Sequence, residues 1–178
     1  MGGSNPAVQQ LWEDLRFPAT SINPAGAPGP MGFDTTNIAF TASATGTESV
    51  AIVAQIPHAW LEGSDIEPHV HWQPTTTGAG NVVWQLQYKW TNPHEADAGS
   101  FTTINILEPA GGTSLRHNIG SFGNISGTGK VISSLLTCII SRLGSDALDT
   151  YAATALLKEF DIHYKSDSVG SVGQYSKP

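Results

Sequence analysis

Residues 81–90 read NVVWQLQYKW, and this stretch decides the fold. Val82, Trp84, Leu86, Tyr88 and Trp90 recur at every second position, while Gln85, Gln87 and Lys89 occupy the positions between. Side chains of an extended chain alternate between two faces, so this spacing builds a β-strand with one apolar face and one polar face. A helical period of 3.6 residues would scatter the same aromatic residues around a cylinder.

The same texture runs outward in both directions. ESVAIVAQIP (48–57), SFTTINIL (100–107), KVISSLLTCIIS (130–141) and LLKEFDIHY (156–164) are further strand candidates. In the last of these Phe160, Ile162 and Tyr164 oppose Glu159, Asp161, His163 and Lys165. Turn-rich segments separate them: TTTGAG (75–80), EADAGS (95–100), EPAGG (108–112) and GNISGTGK (123–130). SDALDTYAATALLKEF (145–160) has some helical character, with Ser145 as a cap, but its period-two ending favours a turn at 144–149 followed by a strand. Seven to nine strands without a strong helix predict an all-β fold, an antiparallel β-sandwich wound as a jelly roll.

Residues 1–35 differ. Pro6, Pro18, Pro24, Pro28 and Pro30, with Gly26, Gly29 and Gly32 among them, exclude regular structure beyond a short piece. The expected organisation is an extended N-terminal arm over 1–35 and a sandwich domain over 36–178. Trp12, Leu15 and Phe17 are apolar anchors by which the arm packs on its own domain or on a neighbour.

Composition narrows the function classes. The chain has 178 residues, enough for one domain with a real core, and 39% are hydrophobic. Only 13% are charged, about half the usual share of 25%. With a net charge of −7 and eight Lys and Arg scattered singly, no phosphate-binding surface is visible, and nucleic acid is not expected as a ligand. Apolar runs fall far short of membrane-spanning length, and no basic region precedes an apolar core near residue 1, so cytoplasmic synthesis is expected. Cys138 stands alone in an apolar run and reads as a small buried hydrophobe rather than a nucleophile. No nucleophile elbow, zinc-protease helix or phosphate loop is present; GTGK at 127–130 lacks the full spacing. The chain reads as non-enzymatic, with no cofactor.

The densest chemistry lies in DIEPHVHWQ (65–73). Glu67, His69 and His71 alternate on one face and are candidate ligands of a divalent ion. Gly63 followed by five residues and then His69-Val70-His71 is similar to the opening of the cupin metal motif. The glutamate which that motif requires next is absent from WQPTT, and His117 in SLRHNIG lacks the preceding Pro-x-Gly. Architecture accounts for more of the stretch. Ile66, Val70 and Trp72 face a core, the histidines lie on a polar sheet face, and QPTTTGAG is the loop of a hairpin with 81–90.

Three phrases, WEDLRFP (12–18), QIPHAWLEGSDIEPHVHW (55–72) and FDIHYKSDSVGS (160–171), resemble small virion structural proteins of tailed bacteriophages. That resemblance implies a virion location, a homotrimer, and partners such as the major capsid protein. It implies a head decoration (cement) protein or, alternatively, a tail fibre, adaptor or receptor-binding component. In the latter the loops at 75–80 and 92–100 form a binding rim. A cupin-like metal-binding protein is the third class.

Overall fold

The computed structural model describes residues 11–24, 32–34, 36–42, 48–175 and 177. Its strands are β1 (Leu11–Pro18), β2 (Asn23–Pro24), β3 (Phe33–Asp34), β4 (Asn37–Phe40), β5 (Glu48–Gln55), β6 (Ile66–Pro74), β7 (Asn81–Thr91), β8 (Thr102–Pro109), β9 (Asn118–Ser121), β10 (Leu135–Arg142) and β11 (Ala155–Ser166). One sheet has the order β3-β4-β11-β6-β9, with β1 also paired to β11; the other has the order β2-β5-β10-β7-β8. Every strand pairing is antiparallel. From β4 onward the chain passes between the sheets at each connection except the β7–β8 hairpin. This winding, with β4-β11-β6-β9 facing β5-β10-β7-β8, is a jelly roll.

Period-two patterning sets the core. Val82, Trp84, Leu86 and Trp90 from β7 meet Ile66, Val70 and Trp72 from β6 and Phe160 and Ile162 from β11. Leu136, Cys138 and Ile140 from β10 complete the layer. The Trp84 ring packs edge-on against Phe40 at 5.2 Å and against Trp72 at 6.1 Å between centroids. Burial pushes the Cys138 thiol pKa upward, which suits an inert core residue. The turn at 144–149 also forms, and β11 begins at Ala155.

Two sequence expectations change. β6 and β7 do not form a hairpin: they lie in opposite sheets, and their apolar faces meet across the sandwich. The alternation of apolar positions is the same for lateral and for face-to-face partners, so it does not distinguish the two. The connection ends at Gly80, whose φ is +128° and whose missing Cβ lets the chain lie against Thr150 and Tyr151; an added Cβ would stand 2.6 Å from the Thr150 carbonyl oxygen.

The arm is the second correction. Residues 1–10, 25–31 and 35 fall outside the described residues, but Leu11–Pro18 is an eight-residue strand of the sandwich itself. It pairs with β11 from Leu11↔Ser166 to Pro18↔Glu159. The prolines cluster beyond it, and Pro18 closes it at a sheet edge, where a missing N–H is tolerated. Leu15 and Phe17 pack against the chain's own core, with the Phe17 ring 6.3 Å from that of Phe160. Removal of residues 1–18 is therefore expected to lower the thermal unfolding temperature by several degrees, because it strips one side of β11 of its partner. An unchanged unfolding temperature in the truncated protein would contradict this docking.

Candidate functional site

The two sandwich faces that point away from the core differ in character. On the five-stranded sheet the outward positions of β5 and β10 include Ala51, Val53, Leu135, Thr137 and Ile139. Those of β7 and β8 include Gln85, Gln87, Thr103, Asn105 and Leu107. Lys89 is the charged residue among the outward positions of these four strands, and its ammonium meets Asp97 at 2.9 Å. Val53 is 59% exposed, and Leu107 and Leu135 are also open to solvent. Thr137 pairs with Val53 and Ile139 with Ala51, so the aliphatic positions form one continuous patch.

The opposite face gathers the titratable groups. Antiparallel pairing aligns Asp14 with His163 and His163 with Glu67 in one row; Arg16, Asp161, His69 and Ser121 form the next. Asp161 lies at the centre and is buried, with 3% of its surface exposed. Its Oδ2 accepts from His71 Nε2 at 3.2 Å and meets His163 Nε2 at 3.3 Å. Its Oδ1 faces His69 Nδ1 at 3.4 Å. His163 Nε2 also meets Asp14 Oδ1 at 3.1 Å, and His69 Nε2 faces Glu67 Oε1 at 3.5 Å. The His69 and His163 rings lie 4.1 Å apart. Arg16 closes one border with two bonds to Glu159, at 2.6 and 2.7 Å, and Ser121 donates to Glu67 at 2.8 Å on the other.

Burial by itself pushes the Asp161 pKa up, but contacts from His69 and His71, with the charge that His71 and His163 carry when protonated, hold it well below the usual carboxylate range. Burial pushes His69 down, and the attraction of Asp161 and Glu67 outweighs it, so its pKa lies above the ordinary imidazole value.

The three metal candidates separate. Glu67 and His69 lie together, and His69 is buried within the chain, 6% exposed, rather than in solvent. His71 turns away: its Nδ1 is hydrogen-bonded to His117 Nε2 at 2.8 Å and its Nε2 engages Asp161. Among the described residues, His163 takes the place expected of His71, forming one constellation with Glu67 and His69 and another with Asp14 and Asp161. The sequence carried a signal for His163 and Asp161, which alternate with the core residues of β11. What it lacked was the strand order that sets β11 between β6 and β1.

The arm anchors also separate. Leu15 and Phe17 point inward, while Trp12 lies 57% exposed on the histidine face, with the Lys165 ammonium 5.5 Å from its ring centre. The loops at 75–80 and 92–100 cannot form one rim, because they leave opposite ends of β7, whose eleven residues span about 33 Å. No helix among the described residues is long and apolar enough to cross a membrane.

No family model matches the chain, and no curated protein matches it. Solved structures do. One is the isomalto-dextranase of Arthrobacter globiformis T6 complexed with panose, with a TM-score of 0.53 and 16% identity over 84% of this chain and 23% of that one. Another is the CBM36-1 domain of a multidomain xylanase from the hindgut metagenome of Trinervitermes trinervoides, with a TM-score of 0.47 and 10% identity over 84% of this chain and 96% of that one. A third is the CBM35 from Cellvibrio japonicus Abf62, with a TM-score of 0.40 and 11% identity over 84% and 92%. The chain spans less than a quarter of the dextranase, and at 16% identity the likeness is one of fold, a β-sandwich.

Proposed function

We propose that this chain is a non-catalytic structural protein of a tailed-phage virion: a head decoration protein, made in the host cytoplasm, that associates with copies of itself as a trimer and seats beside the major capsid protein. The observation that carries the reading is the outward face of the five-stranded sheet. The chain carries a net charge of −7, so copies repel one another over most approaches. The Ala51, Val53, Leu135 and Ile139 patch is where they can meet without opposing charges and with little to desolvate. The three phage-like phrases support the particle, and they coincide with β1, with the approach to β6 and with β11.

A co-sedimentation experiment with undecorated shells of the major capsid protein tests the head location. Saturable binding at a fixed ratio per capsomer is the expected result; a chain that stays in the supernatant at all concentrations would overturn it. A second reading, a receptor-binding tail component, is favoured by Trp12, whose exposed ring on a polar sheet face offers a flat apolar surface beside hydrogen-bonding groups. Location of the chain on the tail in images of the particle would favour that reading.

A further inference from the structure

His69 lies between two carboxylates. Its Nδ1 faces Asp161 Oδ1 at 3.4 Å and its Nε2 faces Glu67 Oε1 at 3.5 Å. A neutral imidazole has one N–H, so donation toward Asp161 leaves a lone pair on Nε2 pointing at a second acceptor. Two acceptors at that distance repel unless something positive lies between or beside them. The second observation is that His69 Nδ1 and Asp161 Oδ1, on two side chains more than nine-tenths buried, face each other at 3.4 Å and have no other partner, which leaves Nε2 as the ring atom turned toward Glu67. His163 brings a further nitrogen, its ring 4.1 Å from that of His69, and one ligand atom each from Glu67, His69 and His163 lies within 4.8 Å of the others.

We propose that Glu67, His69 and His163 bind one divalent transition-metal ion of the zinc class, with Asp161 as the carboxylate behind His69. Two imidazole nitrogens and one carboxylate oxygen suit such an ion, whereas calcium and magnesium prefer all-oxygen sites. Asp161 supplies what metal-bound histidines require, an acceptor for the ring nitrogen remote from the ion, which fixes the tautomer with Nε2 free. His163 belongs also to the Asp14 and Asp161 constellation, so one ion per chain is expected, not two. The ion would join β6 to β11 beside the edge strand β1, a structural cross-link on the face opposite the uncharged patch. The inference is independent of the virion reading.

The test uses the full chain stripped with EDTA and titrated with zinc chloride, followed by calorimetry and by thermal unfolding. One zinc per chain is expected, with an unfolding temperature raised by about 5–10 °C at a hundredfold excess over Kd. His163→Gln and Glu67→Gln, folded as judged by circular dichroism, should each weaken binding at least tenfold, and His69→Ala should abolish it. His94→Ala, in an exposed loop away from the constellation, should bind as the unaltered chain does. The proposal is overturned if the unaltered chain binds no zinc, or if His163→Gln and Glu67→Gln bind it as tightly as the unaltered chain. Those two variants keep the test decisive even if His69→Ala does not fold.

Discussion

Replacing Arg142 by alanine is expected to cost the fold about 3–5 kcal/mol, because it strands a buried carboxylate. Arg142 is 1% exposed, and its side chain shares complete burial with that of Asp149. The guanidinium reaches Asp149 with two bonds, at 3.0 and 2.7 Å. It also donates to the carbonyls of Phe40 at 3.2 Å and Ala153 at 2.7 Å, and to that of Tyr151, and it lies 5.7 Å from the Tyr151 ring centre. One side chain thus fastens the connection between β10 and β11 to the end of β4. Asp149 in turn accepts the Val83 amide at 3.0 Å, which carries the link into β7. Urea denaturation followed by tryptophan fluorescence measures the loss directly. Asp149→Ala should cost a similar amount, whereas Arg142→Met with Asp149→Leu should restore much of it, since an apolar pair leaves no uncompensated charge. A loss below about 1 kcal/mol for Arg142→Ala would show that the network is not what holds this end of the sandwich.

Trp84→Ala is expected to cost a comparable 3–5 kcal/mol, about the upper range for truncating a buried aromatic residue. Its ring is fully buried and touches Phe40 and Trp72, both from the opposite sheet. Removal therefore opens a cavity at the contact between layers, where neighbouring strands are held by their own ladders and collapse poorly. The control is Thr103→Ala, at an exposed position of β8 in the same sheet, for which a change within about 0.5 kcal/mol is expected. A double-mutant cycle with Trp72→Ala should reveal coupling between the two rings, because they are in contact across the sandwich. Strict additivity would count against that packing.

These two residues show how differently the fold was legible. Trp84 was plain in the alternation of residues 81–90, and the class of fold followed from it. Arg142 was not recognised, although the signal was present: it continues the inward series Leu136, Cys138, Ile140 and so must point into the core. A lone arginine at the end of an apolar run reads as a strand terminus in solvent unless its buried partner is known, and Asp149 is set against it by a loop conformation that patterning does not encode. The β6–β7 connection failed for a related reason. Period two specifies which side chains share a face, not whether the neighbour lies beside the strand or across the core.

The candidate site was half legible. Glu67 and His69 stood out through their spacing within one strand, which is local information. Asp14, Asp161 and His163 join them only because β11 lies between β1 and β6, and pairings across some 90 to 150 residues are fixed by the whole winding. His71 had the right spacing, yet its ring engages His117 and Asp161 instead. At residues 11–18 the alternation of Leu15 and Phe17 against Asp14 and Arg16 was a strand signal outweighed by the surrounding prolines.

The central claim, that copies of this chain assemble through the aliphatic patch on the outward face of the five-stranded sheet, is tested most directly by sedimentation equilibrium. The unaltered protein is compared with Val53→Glu and Leu135→Glu. The account predicts a trimer for the unaltered chain and a folded monomer for either variant, its circular dichroism unchanged because both positions face solvent within a single chain. A chain that is monomeric at tens of micromolar, or a trimer indifferent to both substitutions, would contradict it.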